Sequence, residues 1–394
     1  MTITEKTNKH IMQSYGRFSL EIENSKGLID FGSGIGTNSL GFCDEQWANA
    51  VCEQARTLQH TSNLYYTKPA ADFAEKLCAV TGYTNAFLCN SGAEANECAI
   101  KLARKYSFDK YGAGRNKIVT LNGSFHGRTM TTLSATGQDI MHPDCFAPYM
   151  PGFAHIEPNA PIGSFADDVC AVMLEYVQGE GGVISLEQSF VDEVFALCAE
   201  NDILVIADEV QTGAGRTGAF LAGTHFGKAA DITTMAKGLF GGLPGGACLA
   251  NEKCAGVLTA GMHGSTYGGN PVVMAGGSVV VARVSDAAFL AEVVAKGDYI
   301  REFLAKLPQV EAISGRGLML GLTLKSAKEA SSACPAEVAL ATGVGRTAIE
   351  VAKACLEKGL LVLTAKDKLR LLPPLTITYD ELDEGLSVLK EILL

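Results

Sequence analysis

Two short apolar runs near the middle of the sequence each lead to a residue that can do chemistry. Residues 203–207 lead to Asp208, and residues 232–236 lead to Lys237. Short apolar runs between polar and glycine-rich segments are typical of strands buried on both faces. In open α/β sheets ligands bind beyond the carboxyl ends of such strands, so we expect Asp208 and Lys237 to lie in one crevice.

The chemistry of this pair depends on what surrounds the lysine. Lys237 follows a buried strand and precedes a glycine-rich loop, residues 238–246. Burial there would lower the pKa of its ammonium group and make the neutral amine nucleophilic, as a Schiff base requires. Asp208 would then keep a pyridine nitrogen protonated, so that a pyridoxal ring acts as an electron sink. An ordinary ion pair at two strand ends is the alternative, and the two residues considered alone favour it.

Three glycines after Asp208 have the spacing of dinucleotide-binding proteins. Gly213, Gly215 and Gly218 spell G-x-G-x-x-G, which would indicate a nicotinamide-dependent dehydrogenase. However, polar residues separate the strand from the first glycine, and the sequence that follows is too interrupted by glycine to begin a phosphate-binding helix. No strand ending in an acidic residue follows about 20 residues later. We interpret the spacing as a glycine-rich turn.

The composition excludes several classes of protein. The chain has 394 residues and a net charge of −11, which repels phosphate backbones, so we expect no nucleic-acid partner. No apolar stretch reaches the roughly 18 residues of a membrane span. The twelve cysteines form no C-x-x-C pair and no secretion signal is recognisable. We therefore expect a reduced, cytoplasmic protein without disulfides or a metal site.

A predicted strand at residues 85–89 runs directly into a predicted helix at residues 91–106. Ser91 and Glu94 fit the S-x-x-E capping box that begins many helices, and this structural role is the better explanation if no ligand is near. If a cofactor lies at the same sheet edge, the small residues Gly92 and Ala93 would expose amide groups and the positive end of the helix dipole to a phosphate.

The segment after the predicted strand at residues 117–121 gathers an aromatic, an imidazole and a guanidinium group. Phe125 alone would be a core residue, His126 a loop histidine with satisfied hydrogen bonds, and Arg128 a solvated charge. Together at one strand end, an aromatic face can stack on a planar cofactor and a guanidinium can bind a carboxylate with two hydrogen bonds.

The alternation of strands and helices from about residue 85 to 250 predicts an α/β fold with a mostly parallel, doubly wound sheet. We expect residues 46–285 to form this large domain and residues 286–394 a smaller α+β domain, which the N-terminal segment, residues 1–45, joins. The remaining pattern predicts helices at 47–58, 69–80, 190–201 and 272–285, a strand at 169–174, a strand region at 368–378 and a final helix.

Taken together, these motifs resemble the class III (fold type I) pyridoxal-phosphate aminotransferases, most closely their acetylornithine aminotransferase members. The resemblance covers the chain from about residue 31 to 378 in the family's order, through the stretches GIGTNSLG, HTSNLYYT, NSGAEANE, SFHGRT, QGEGG, ADEVQTGAGRTG, AKGLFGGLPGGA, HGSTYGGNP and LRLLPPLTIT.

The resemblance implies a cofactor, pyridoxal 5′-phosphate, and the residues that hold it. Lys237 would carry the cofactor and then move the proton during the reaction, and Asp208 would hold the proton of the ring nitrogen. The other implied contacts are Phe125 and Val210 on the two ring faces, Gln211 at the phenolic oxygen, Ser91, Gly92 and Ala93 at the phosphate, and Thr266 from the partner subunit of a homodimer with shared active sites.

The resemblance also implies a reaction, in which the terminal amino group of N-acetylornithine moves to 2-oxoglutarate in arginine biosynthesis. Arg128 and Arg370 match arginines that bind substrate carboxylates, and Glu180 matches the glutamate that covers Arg370 while the basic substrate is bound. Tyr15 falls near a tyrosine that touches the substrate. Succinylornithine, ornithine, 4-aminobutyrate and acylated diaminopimelate stay open as alternative donors, because one contact in such a pocket is worth only about 1–3 kcal/mol.

The sequence departs from the family at several places. The segment of residues 17–30 is shorter than the corresponding segment of the family, in which a pair of strands usually precedes the GIG loop. Residues 326–345 resemble an insertion. Tyr176 stands where the family has proline, and Ala93 stands where threonine is common, which removes a hydroxyl near the phosphate. These departures bear on substrate choice. A non-catalytic, cofactor-binding regulatory module is a further alternative, but it would not need Lys237.

Overall fold

The computed structural model describes residues 1–325 and 345–394, so the predicted insertion lies, except for Gly345, outside the described residues. Most helices alternate with strands along the chain. Their bounds are α1 (Ile3–His10), α2 (Ser33–Gly36), α3 (Glu45–Thr57), α4 (Lys68–Thr81), α5 (Gly92–Tyr111), α6 (Met130–Ala135), α7 (Gln188–Glu200), α8 (Pro271–Val284), α9 (Ala287–Leu304), α10 (Ala348–Glu357) and α11 (Tyr379–Leu393).

The strands are short, and those of the large sheet are mostly buried. Their bounds are β1 (Ile29–Asp30), β2 (Asn85–Cys89), β3 (Lys117–Leu121), β4 (Phe153–Ile156), β5 (Val169–Leu174), β6 (Val177–Gln178), β7 (Ile184–Ser185), β8 (Leu204–Asp208), β9 (Ile232–Met235), β10 (Gly246–Ala250), β11 (Val310–Arg316), β12 (Met319–Leu324), β13 (Leu360–Leu361), β14 (Leu363–Ala365) and β15 (Lys368–Leu371).

One large sheet carries the fold and confirms the predicted α/β class. Its strand order is β2-β10-β9-β8-β5-β3-β4. Every neighbouring pair is parallel except those of β10, which runs antiparallel to β2 and β9. The six parallel strands therefore present their carboxyl ends at the same edge of the sheet. β5 is buried along its whole length, as expected for a central strand covered on both faces.

A second, antiparallel sheet lies in the C-terminal part of the chain. Its order is β11-β12-β15-β14, and α9, α10 and α11 pack with it in one hydrophobic core. β1 pairs in parallel with β13, which connects the N-terminal segment to a strand of the C-terminal part. The division into domains at residues 45 and 285 stays a prediction.

The strand region predicted at residues 368–378 is wrong in its second half. β15 ends at Leu371, because Pro373 and Pro374 have no N–H group to continue the ladder. The backbone N–H of Leu372 donates instead to the carbonyl of Phe31 (2.7 Å), and that of Leu375 donates to the carbonyl of Ser39 (2.8 Å). These hydrogen bonds connect the proline-containing segment after β15 to the N-terminal loop.

The helix ends follow local capping rather than apolar periodicity alone. α3 begins at Glu45 because Asp44 accepts a hydrogen bond from the N–H of Trp47 (3.0 Å). α5 continues five residues beyond the predicted end and stops before Gly112, whose φ is 77°. Within the described part of the chain, no helix has the length and apolarity of a membrane span, and the eleven cysteines there are free thiols.

Candidate functional site

The carboxyl ends of the parallel strands surround a cavity of about 450 Å³. β2 leads to Ser91, β3 leads to Phe125, β8 ends at Asp208, and β9 leads to Lys237. All four residues line this cavity. The structure therefore brings Asp208 and Lys237 to one crevice, in which Asp208 pairs with His126 and not with the lysine.

Asp208 is a buried carboxylate with three hydrogen-bond donors around it. Its Oδ2 accepts from Asn96 Nδ2 (2.8 Å) and His126 Nδ1 (2.7 Å), and its Oδ1 accepts from the N–H of Val210 (3.0 Å). The side chain is 3% exposed. Because buried charges are stable only when paired and hydrogen-bonded, these contacts keep Asp208 in a fixed position at the cavity wall.

Lys237 is held in an unusual backbone conformation at the start of a 3₁₀ turn, Lys237–Phe240. Its φ is 46°, in the left-handed region that residues with a side chain rarely adopt. Desolvation lowers the pKa of its ammonium group, and the positive charge of Arg370 adds to this, although Glu180 and Asp208 oppose it. A lysine with a lowered pKa is a better nucleophile at neutral pH.

The start of α5 forms another wall of the cavity. Ser91 Oγ accepts from the N–H of Glu94 (3.2 Å), so the N–H groups of Gly92 and Ala93 have no helical partner and remain for a ligand. The capping box predicted here is only half formed, because the Glu94 carboxylate accepts from the N–H of Asn90 (2.9 Å) and not from that of Ser91.

Close backbone packing brings this helix start against the aspartate strand. A Cβ atom on Gly92 would lie 2.6 Å from Val210 Cγ1, so only glycine allows this approach. Val210 and Phe125 both line the cavity. The guanidinium carbon of Arg128 lies 5.5 Å from the centre of the Phe125 ring. The Arg128 side chain is exposed and lies at the rim of the cavity.

An ion pair between the buried Arg370 and the partly exposed Glu180 lies beside the cavity. Arg370 Nη1 donates to Glu180 Oε1 (2.5 Å) and to Gln211 Oε1 (3.2 Å), and Gln211 Nε2 donates to Glu180 (3.4 Å). Desolvation raises the pKa of Glu180, but the charge and hydrogen bond of Arg370 outweigh it, so the pKa is lowered. A Cβ atom on Gly179 would lie 2.2 Å from Gln211 Oε1, so the absence of a side chain there makes room for Gln211.

Two predicted site residues, Thr266 and Tyr15, do not line this cavity. Thr266 lines a separate cavity with Glu94, Lys101 and Tyr267, on a loop held to Asn90 through Ser265 Oγ (2.9 Å). Tyr15 is exposed and contacts Arg17 through its ring. The structure does not bring Tyr15 to the cavity, and the predicted contact of Thr266 is one with a partner subunit.

The glycine spacing at residues 213–218 forms a turn and not a phosphate-binding loop. No helix begins there; the next helical element is a 3₁₀ turn at Ala222–Phe226. The buried carboxylate of Glu209 organises the segment by accepting from Ala222 N (2.8 Å), Gly223 N (2.9 Å) and Thr212 Oγ1 (2.8 Å). Arg216 then donates to the carbonyls of Leu318 (3.0 Å) and Pro373.

The structure also shows cavity residues to which the sequence analysis assigned no functional role. Asn96, Glu175 and Thr37 line the cavity, and so does His126, which the sequence treated as a loop histidine. One signal was available: Asn96 is, with Ser107, one of two polar residues that α5 buries among apolar residues such as Ala95, Ala99 and Ala103. Buried amides in such positions are hydrogen-bonded to a partner of structural or functional importance.

The arrangement fits pyridoxal 5′-phosphate. A buried aspartate, a lysine with a lowered pKa and the first N–H groups of a helix all line one cavity, and these groups match the ring nitrogen, the aldehyde and the phosphate of that cofactor. Within the described residues, no cluster of histidine, cysteine, aspartate and glutamate has the geometry to hold a metal ion.

Comparison with known proteins supports the same chemistry. The family model described as "Aminotransferase class-III" matches residues 5–393. An acetylornithine aminotransferase of Haemophilus ducreyi is 45% identical over 98% of this chain and 96% of its own. The acetylornithine aminotransferase of Caldanaerobacter subterraneus is 41% identical over 98% of this chain and 97% of its own.

Solved structures are similar along nearly the whole chain. An N-acetylornithine aminotransferase from Stenotrophomonas maltophilia has a TM-score of 0.76 and 34% identity, covering 93% of this chain and 90% of that one. An ornithine aminotransferase from Toxoplasma gondii has a TM-score of 0.88 and 27% identity, covering 99% of this chain and 94% of that one.

Proposed function

Because this chain belongs to the class-III aminotransferases, we propose that it transfers the terminal amino group of N²-acetyl-L-ornithine to 2-oxoglutarate. The products are N-acetyl-L-glutamate 5-semialdehyde and L-glutamate, as in arginine biosynthesis. The observation that carries the proposal is the joint position of Lys237 and Asp208 at one cavity, in a chain 45% identical to an acetylornithine aminotransferase.

The enzyme is a pyridoxal-phosphate-dependent transaminase. When bound, the cofactor withdraws electrons from the carbon that carries the donor amino group, which makes its proton removable. We assign to Lys237 the attachment of the cofactor and the movement of that proton. We assign to Asp208 the retention of the proton on the ring nitrogen, for which its buried, hydrogen-bonded carboxylate is suited.

The remaining cofactor contacts follow the cavity walls. We assign the two ring faces to Phe125 and Val210, and the phenolic oxygen to Gln211. The phosphate is assigned to the first turn of α5, where Gly92 and Ala93 offer N–H groups and the helix dipole favours an anion. Ser91, which caps the helix, completes this set.

The two arginines suit the two halves of the reaction. Arg128 is exposed at the rim and available to a substrate carboxylate, whereas Arg370 is buried and paired with Glu180. We propose that Glu180 covers Arg370 while the donor is bound and leaves it when 2-oxoglutarate brings a second carboxylate. The buried guanidinium then always has a carboxylate partner. An unpaired guanidinium at this position would cost about 3–5 kcal/mol. We assign Tyr15 to the substrate as well, on the family resemblance alone.

We also propose a homodimer in the cytoplasm. Thr266 lies outside its own chain's cavity, which supports a contact with the phosphate held by a partner subunit. The free thiols of the eleven described cysteines support a reducing compartment. The net charge of −11 supports the absence of a nucleic-acid partner, and we propose no membrane partner.

A half-reaction assay tests the donor. The purified holoenzyme is mixed separately with N-acetylornithine, succinylornithine, ornithine and 4-aminobutyrate, and the absorbance of the bound cofactor is followed without 2-oxoglutarate. We expect N-acetylornithine to convert the cofactor fastest. Faster conversion by free ornithine, which the similarity to the Toxoplasma gondii enzyme would favour, would overturn the donor and leave the transaminase chemistry intact.

A further inference from the structure

Asp208 is surrounded by polar groups that the function proposed above does not use. Asn96 and His126 both donate to its Oδ2 atom, and Asn96 Nδ2 also donates to the carbonyl of His126 (2.7 Å). Glu175 lines the same cavity. The amide of Asn96 carries no charge, so its contact positions Asp208 without changing the charge of the site. The imidazole of His126 can position Asp208 and can also change the charge of the site.

The imidazole of His126 is fully enclosed, with a side-chain exposure of 0%. Its Nδ1 lies 2.7 Å from Asp208 Oδ2 and must carry a hydrogen to donate to it. Its Nε2 is buried without a hydrogen-bond partner among the described residues. Desolvation lowers the pKa of His126, but the hydrogen bond and charge of Asp208 outweigh this effect, so the pKa is raised.

Few titratable groups influence the pKa of this imidazole. The titratable groups that act on it are Asp208 from β8 and Glu175 after β5, and its own charge acts on His155 of β4. On the side of α6, the backbone N–H of His126 donates to the uncharged Thr136 Oγ1 (3.0 Å). Burial raises the pKa of Glu175 to about 7, so this carboxyl carries only part of a negative charge at neutral pH.

A buried carboxylate needs a positive partner, and the partner of Asp208 must change when a cofactor binds. Before binding, His126 is the group in contact with Asp208 that can become positive, and its imidazole balances the carboxylate when it is protonated. A protonated pyridine ring placed against Asp208 brings a second positive charge into the same low-dielectric site, where two cations facing one carboxylate repel each other strongly. The net charge stays constant if one proton leaves.

We propose that His126 is a positioning residue that balances and aims Asp208 before the cofactor binds, and that it releases its proton to solvent when the protonated cofactor ring becomes the positive partner of Asp208. The inference rests on the placement of the cofactor ring against Asp208 proposed above. Before binding, the carboxylate faces one imidazolium; afterwards it faces one pyridinium and a neutral imidazole that still donates from Nδ1.

Calorimetric titration of the cofactor-free protein tests the proton count. The probe is pyridoxine 5′-phosphate, which has the ring and phosphate of the cofactor but an alcohol in place of the aldehyde, so it cannot form a bond with Lys237. Titrations at pH 7 in two buffers of different ionisation enthalpy give the number of protons released on binding. We expect the parent to release about one proton more than His126→Asn, whose amide keeps a donor near the Nδ1 position without a titratable charge.

A second variant separates the hydrogen bond from the charge. His126→Leu removes both, and we expect it to bind the probe about 10- to 100-fold more weakly than the parent, as for loss of a hydrogen bond to a charged group. His126→Asn should keep its affinity within about 10-fold. Circular dichroism checks that each variant is folded.

Each remaining outcome would overturn part of the account. Equal proton release by the parent and His126→Asn would show that His126 does not exchange its proton. If Glu175→Gln, and not His126→Asn, lost the extra proton, the exchange would belong to Glu175. Unchanged affinity in His126→Leu would remove the positioning role. If the parent bound no probe at all, the ring placement at Asp208 would fail together with the inference.

Discussion

The two ends of the cavity are built by different means. At the end that we assign to the cofactor ring (the ring end), buried side chains from separate strands and a helix converge, with Asp208, His126 and Asn96 linked by hydrogen bonds within one chain. At the end that we assign to the phosphate (the phosphate end), the wall is the backbone of the first turn of α5, and the further contact we propose, Thr266, lies outside that chain's own cavity.

This difference predicts how each end responds to substitution. A site made of buried charges depends on the identity of each side chain, because removing one partner leaves another unpaired. A site made of backbone N–H groups depends on shape and helix position, and tolerates changes such as Ala93 in place of threonine. We expect large, electrostatic effects at the ring end and smaller, packing or capping effects at the phosphate end.

Asp208→Asn should have the largest effect, at the ring end. The amide cannot hold the ring proton by charge, so we expect turnover to fall by about 10²- to 10³-fold, while absorbance still shows bound cofactor. Asp192→Asn, which alters an exposed partner of Lys228, is the matched control and should keep full turnover. A rate for Asp208→Asn within a few-fold of the parent would contradict the role of Asp208.

Gly92→Ala probes the place where the two ends meet. The added Cβ would lie 2.6 Å from Val210 Cγ1, and such overpacking costs about 1–3 kcal/mol, which we expect to appear as weaker cofactor binding. Combining it with Val210→Ala should restore part of the loss. Gly256→Ala, where an added Cβ meets nothing within 4 Å, should bind the cofactor normally.

The charge at the ring end should also appear in the pH dependence of stability. The pKa of Glu175 is raised from its ordinary value of 4.5 to about 7, chiefly by burial. Between these values the folded protein keeps a proton that the unfolded chain releases, so this carboxyl makes stability fall as pH rises from about 5 to 7. Glu175→Gln does not titrate.

Thermal unfolding of the cofactor-free protein measures this contribution. The melting temperature of Glu175→Gln relative to the parent should increase by a few degrees, roughly, between pH 5 and 7 and then stay constant. Glu187→Gln provides a control from the N-terminal flank of α7. A difference between Glu175→Gln and the parent that does not change with pH would show that Glu175 ionises normally.

Ser91→Ala should have the smallest effect, at the phosphate end. Loss of a helix cap costs about 1 kcal/mol, and the N–H groups of Gly92 and Ala93 remain in place. Thr347→Ala removes an equivalent cap at α10, where Thr347 accepts from the N–H of Glu350. We expect similar losses of stability in both variants and weaker cofactor binding in Ser91→Ala alone. Equal cofactor binding by both would limit Ser91 to a capping role.

The sequence predicted the strands at the cavity better than the groups behind them. β2, β3 and β5 have their predicted bounds, because each is a mostly apolar run with polar residues on either side. Asp208 and Lys237 could be placed together because strand ends share one edge of a parallel sheet. The resemblance then supplied roles for Arg370 and the other substrate contacts.

What the sequence could not give depends on contacts between distant segments. The link from Asp208 to Asn96 joins residues 112 positions apart, and no local pattern marks it. The Glu94 carboxylate accepts from the N–H of Asn90 and not from that of Ser91, which the S-x-x-E pattern alone does not reveal. The end of β15 at Leu371 was visible in principle, since two prolines follow it.

Chemical trapping of the cofactor identifies the lysine that carries it. Holoenzyme is treated with sodium borohydride, which fixes the cofactor to the lysine that carries it, and the digested protein is analysed by mass spectrometry. We expect a phosphopyridoxyl group on Lys237, and no labelled peptide from Lys237→Ala. A label on any other lysine of the parent would contradict the site built around Lys237 and Asp208.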